Sequence, residues 1–149
     1  MRPRLAVALI PAIFVIASGL SATQSISLTG VWALEASATE TSDDNGNTTR
    51  LLALSGTLTL EQKADVVSGS WKGRLPTPWA LTGRLDGNRF ELQTETRDMP
   101  IESNGQRQQV PRHWIFRGTI DGKKLTGTMA LAGGEGEPPM QPFSAQRQQ

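Results

Sequence analysis

The chain has 149 residues with four tryptophans, no tyrosine and no cysteine. That suits a single domain and excludes disulfide staples, thiolate metal sites and thiol catalysis. The formal charge of +1 becomes −1 once Arg2 and Arg4 are set aside, and no polybasic run remains, so an electrostatic nucleic-acid footprint is excluded.

Residues 1–22 read as a cleaved secretory signal peptide. Arg2 and Arg4 precede an apolar run of 13 residues at 5–17, shorter than the roughly 20 a membrane-spanning helix needs. The small residues Ser18, Gly19, Ser21 and Ala22 follow, as at a cleavage site. The expectation is a secreted or periplasmic protein, unattached to membrane after cleavage, with one domain over 23–149.

From there apolar and polar residues alternate, the period of half-buried strands. Eight strands are predicted, at roughly 27–37, 50–60, 66–74, 79–85, 88–96, 110–120, 124–132 and 142–147. Inward-facing sets include Leu52, Leu54, Gly56, Leu58 and Leu60; Trp79, Leu81, Gly83 and Leu85; and Trp114, Phe116, Gly118 and Ile120. Asp86-Gly87 and Asp121-Gly122 read as two-residue hairpin turns. They set Gly83 opposite Phe90, Leu81 opposite Leu92, Gly127 opposite Phe116, Trp114 opposite Met129 and Gly118 opposite Leu125. The loop 62–65 sets Gly56 opposite Trp71. A ring over a bare Cα lets a strand bend sharply without leaving a hole, as a closing sheet requires.

A two-residue turn at Asn104-Gly105 puts opposite faces in register, so a bulge or longer loop is predicted between Arg97 and Pro111, where Pro100 and Pro111 weaken any ladder. Stretches 37–49, 97–109 and 133–141 read as loops. The fold class is all-β: an eight-stranded antiparallel up-and-down barrel.

Gly30-Val31-Trp32, opening the first strand, resembles the G-x-W start of lipocalin-type barrels. That resemblance implies an arginine near the last strand packed over the tryptophan, and Arg147 is the matching candidate. Leu81-Thr82-Gly83-Arg84 is also similar to avidin-type barrels. An avidin-like biotin site needs several inward polar side chains, tyrosine among them. This chain has no tyrosine, and its inward positions are almost wholly apolar.

Catalytic chemistry finds little footing. His113 is the lone histidine; by alternation it points outward near Glu95, as a surface cross-strand pair does. Glu91 and Glu95 lie on one strand face about 13 Å apart, beyond a glycosidase pair, and a solvated ionic ladder with Arg117 and His113 accounts for them. Asp43, Asn45 and Asn47 evoke a calcium loop, but Thr48 and Leu54 stand where an EF-hand needs glycine and glutamate, and a polar hairpin loop accounts for them. Asn47-Thr48-Thr49 is a formal glycosylation sequon. Lys72, Arg74, Arg84, Arg112 and Arg117 read as a solvated outer face. No catalytic residue, metal ligand or cofactor is assigned, and the chain reads as a binder, not an enzyme.

Two functions remain. One is a small apolar or amphipathic ligand inside the barrel, lined by Trp71, Trp79, Leu81, Trp114 and Phe116. The alternative is an interaction or inhibitor module with a packed barrel that meets a protein partner through its rim loops. Gly30, Trp32, Gly56, Gly83, Gly127 and Arg147 are assigned structural roles.

Overall fold

Alternation drives the chain into strands throughout the computed structural model, which describes residues 26–149. The signal-peptide reading of residues 1–22 lies outside the described residues. The strands are β1 (Gly30–Ala36), β2 (Thr39–Ser42), β3 (Thr48–Leu51), β4 (Leu54–Lys63), β5 (Val66–Lys72), β6 (Trp79–Asp86), β7 (Arg89–Thr94), β8 (Arg97–Ser103), β9 (Gln106–Asp121), β10 (Lys124–Ala132) and β11 (Gln141–Arg147). Eight of them close an antiparallel barrel in the order β1-β4-β5-β6-β7-β9-β10-β11, with β11 returning to β1. The other three are excursions from this up-and-down path. β2 and β3 form a separate hairpin, and β8 pairs with the first half of β9 as a two-stranded arm.

The connections sort by length between the two ends of the barrel. Two-residue turns at 64–65, 87–88 and 122–123 all lie at one end, beside the N-terminal segment. The β2–β3 hairpin, the 73–78 loop, the arm and the 133–140 loop all lie at the other. We call the first the plugged end and the second the mouth.

Leu28 enters the plugged end fully buried, its amide donating to Gln62 Oε1 at 2.8 Å. Trp32 is also fully buried, with its indole donating to the Leu28 carbonyl at 2.9 Å. The Arg147 guanidinium stacks 4.3 Å from the Trp32 ring centre and donates to the Thr29 and Ser27 carbonyls. Gly30 is required here: its φ of +142° disfavours a side chain, and a Cβ would stand 3.2 Å from Arg147 Nη1. The arginine-over-tryptophan closure implied by Gly30-Val31-Trp32 is present.

The glycine–ring pattern holds with different partners. The turns are Gly87-Asn88 and Gly122-Lys123, each with positive φ at the glycine alone, the II′ pattern. Register therefore slides by two residues, and every face is kept. Gly83 faces Leu92, not Phe90, and Leu81 faces Thr94, not Leu92. Gly127 faces Gly118, not Phe116, and Trp114 faces Leu131, not Met129. The glycine–ring pairs that do form are Gly118 with Phe90 and Gly127 with Phe143. Trp71 pairs with Leu58, not Gly56, but its ring lies diagonally over Gly56, covering the space a side chain there would fill. The physical reason for the slide is in the turns: with glycine at the first turn position the left-handed φ is met at Gly87 and Gly122, which sets Asp86 across from Arg89 and Asp121 across from Lys124.

The arm corrects a second expectation. Asn104-Gly105 is a two-residue turn after all, with both φ values positive, as type I′ requires. The one-residue mismatch is absorbed earlier. The β7–β9 ladder ends at Gln93–Ile115 and the β8–β9 ladder begins at Arg97–Arg112. Three residues, 94–96, thus stand against two, 113–114, which is a bulge at the root of the arm. Stretches 37–49 and 97–109, read as loops, contain hairpin strands instead.

Candidate functional site at the mouth of the barrel

Side chains fill the middle of the barrel. Phe90 from β7 meets Phe143 from β11 with centroids 6.4 Å apart. Phe143 meets Phe116 from β9 edge-on at 5.9 Å, and Phe116 meets Trp71 from β5 edge-on at 5.6 Å. This chain of rings crosses the interior from wall to wall, in the offset geometries aromatic pairs prefer. Of the five residues assigned to a ligand lining, Trp71, Trp79, Leu81 and Phe116 are buried in this core. Trp114 is different: it is half-buried, packed against the core's upper edge.

Trp114 lines a pocket of about 270 Å3 at the mouth, together with Leu52, Leu54, Met129, Leu131 and Gln141 among others. The Trp114–Leu131 pair forms one wall, continuing the inward face of β9 and β10 beyond Phe116–Met129. Arg50 and Leu51 at the base of the β2–β3 hairpin close a second side, and Pro139 a third. Gln141 fixes this geometry. Its buried amide donates to the Ser37 carbonyl at 2.7 Å and to the Leu52 carbonyl at 2.8 Å, tying the hairpin's two ends to the barrel. A larger concavity of about 810 Å3 lies at the plugged end between Ile26 and Asn88, lined in part by the turn residues Asn88 and Gly122.

Polar side chains inside are already committed. Thr94 Oγ1 accepts from the Trp114 amide at 2.8 Å and donates to the Glu95 carbonyl at 3.0 Å, holding β9 across the bulge. Trp79 is capped at the rim by Arg97, whose guanidinium sits 4.6 Å from the ring centre. Arg97 is itself clamped by the Glu95 carboxylate and the Thr77 and Pro78 carbonyls. The hydrogen bond from Arg97, aided by the Ala80 amide, holds the Glu95 carboxyl below its ordinary range. Glu95 is thus engaged by Arg97, and not by His113 as alternation suggested. Glu91 does pair with Arg117, at 3.2 Å.

Asp43 closes the β2–β3 hairpin. Its carboxylate accepts from the Asn45 and Asn47 amides at 2.9 and 2.8 Å and from Asn47 Nδ2 at 2.9 Å. Those bonds, with the Asn47 side chain foremost, lower its pKa. The i, i+2, i+4 pattern is a turn closure, and no group of three or more acidic or histidine side chains placed to hold a metal occurs among the described residues.

Arg112 was assigned to the outer face. Two residues before Trp114, and paired with Arg97, it belongs to the inward face and stands at the mouth. Alternation contained that signal: Arg112, Trp114 and Phe116 share one parity.

No protein-family model matches the sequence, and no curated protein does. Among solved structures the chain is similar to rhizavidin, determined in complex with biotin, at 16% identity and a TM-score of 0.50, over 83% of this chain and 93% of that one. The barrel is avidin-like in fold. The likeness agrees with the closed eight-stranded, lipocalin-type architecture built from the strand pairings above. The avidin-like barrel here has a ring-filled interior and an apolar pocket at its mouth.

Proposed function

We propose that this protein binds a small apolar molecule, or the apolar end of an amphipathic one, in the mouth pocket against Trp114. The observation that carries the reading is the division among the inward aromatics: Trp71 and Phe116 are spent on packing, whereas Trp114 faces a pocket of about 270 Å3 with aliphatic walls. Few convergent polar groups in a mostly apolar concavity are the usual make-up of a small-molecule site. Likeness to a barrel solved with biotin supports small-molecule binding by such a fold. Biotin itself is disfavoured, because the buried polar side chains among the described residues, Thr94 and Gln141, already bond within the protein. Native mass spectrometry of the protein purified from its host tests the reading: a retained small molecule released by Leu131→Arg supports it, and an empty monomer that also fails to take up decanol refutes it.

A second reading is favoured by the arm. Its β8 edge and the 106–112 edge of β9 pair with nothing further among the described residues, as an interaction module would present. A co-purifying protein lost on deletion of 98–111 would select that reading. Export also belongs to this proposal, on the strength of the charged and apolar order of residues 1–22. N-terminal sequencing of the mature protein should begin within a residue or two of Thr23.

A further inference from the structure

We infer that the ligand is an anionic amphiphile whose carboxylate is received by Arg112, an inference that rests on the mouth-pocket reading. Three observations converge on this side chain. First, Arg112 Nε is buried and makes no hydrogen bond; a guanidinium N–H shut away from water without an acceptor is costly and rare in a native fold. Second, no carboxylate among the described residues lies within ion-pair distance of it, although Arg97 across the ladder is clamped by Glu95.

Third, the register places Arg112 beside the pocket. Trp114 and Leu131 form its wall, and Arg112 stands two residues further along the same face, about 7 Å up the strand. A ligand whose tail fills the pocket therefore brings its head to the guanidinium. Gly134 lies directly against the guanidinium: a Cβ there would stand 2.9 Å from its atoms, so bare glycine backbone forms this part of its cover. Gly133, with φ +106°, lets the chain turn back there. The planar fork of arginine matches a carboxylate through two parallel N–H donations, Nε included.

The experiment compares decanoate with 1-decanol by isothermal titration, using the wild type and Arg112→Gln. The expected result is that the wild type holds decanoate at least about tenfold more tightly than decanol, the scale of a charge-assisted hydrogen bond. Arg112→Gln should erase that preference and leave decanol binding in place. Equal affinity of the wild type for both probes, or a preference that survives Arg112→Gln, overturns the inference while the pocket reading stands. Failure of the wild type to bind either probe overturns both. Should Arg112→Gln fold poorly, the wild-type comparison, repeated with methyl decanoate in place of decanol, still decides.

Discussion

Single residues set the limits of this barrel in opposite ways. At Gly127 a Cβ would stand 2.0 Å from the Arg117 carbonyl oxygen and 2.7 Å from the Gly118 Cα. Backbone cannot move aside as a flexible side chain can, so Gly127→Ala should destabilise the fold by about 3 kcal/mol or more, measured by urea unfolding. Arg147 acts by addition: it stacks on Trp32 and bonds two carbonyls of the incoming segment. Arg147→Ala should cost about 2–3 kcal/mol and speed hydrogen exchange at Leu28 and Trp32 before the rest of the barrel. Glu95 gives the account a pH dependence. Its folded pKa is depressed, so its contribution is complete above the ordinary carboxylate range and is lost as pH falls through the folded value. The melting temperatures of wild type and Glu95→Gln should differ at neutral pH and converge as the medium is acidified below about pH 4.

At the scale of elements, alternation and turn chemistry proved unequal guides. The faces of the barrel strands were legible because parity survives a two-residue slide: Leu85, Phe90, Leu92, Phe116 and Leu125 are all buried whichever residues flank the turn. Register was not, because Asp-Gly and Gly-Asn are both hairpin signals, and the structure takes the glycine as the first turn residue, with Asp86 paired to Arg89 and Asp121 to Lys124. The β2–β3 hairpin was missed because Thr39, Glu40, Thr41, Ser42 and their partners bury almost nothing, leaving no apolar period to read. The bulge was expected between Arg97 and Pro111 and lies at 94–96 instead, for another reason. It depends on a Thr94 hydroxyl standing in as acceptor for the Trp114 amide, a tertiary bond with no local signature. Of the mouth site, Trp114 and Leu54 were legible as inward residues, whereas Gln141, which joins Ser37 and Leu52 from far along the chain, was not. The arm bears on this too. Met99 packs on the core while residues 102–109 are exposed, so shortening the arm by removing 102–107 should leave unfolding cooperative and the midpoint nearly unchanged.

For the whole molecule, the decisive property is that rings from β5, β7, β9 and β11 occupy the centre. Phe116→Ala removes the ring that bridges two others, and should cost about 3–5 kcal/mol while opening a cavity in the interior. On the proposed reading the same filling sends a guest to the mouth, where Trp114 lines the pocket with Leu52, Leu54 and Pro139. The most direct test uses the four indole N–H groups as reporters in a nitrogen-15 NMR titration with decanol, each assigned by tryptophan-to-phenylalanine replacement. The account predicts that the Trp114 signal moves and saturates while those of Trp32 and Trp71 stay fixed. Movement of the Trp71 signal with Trp114 unchanged would place the guest inside the barrel and contradict it.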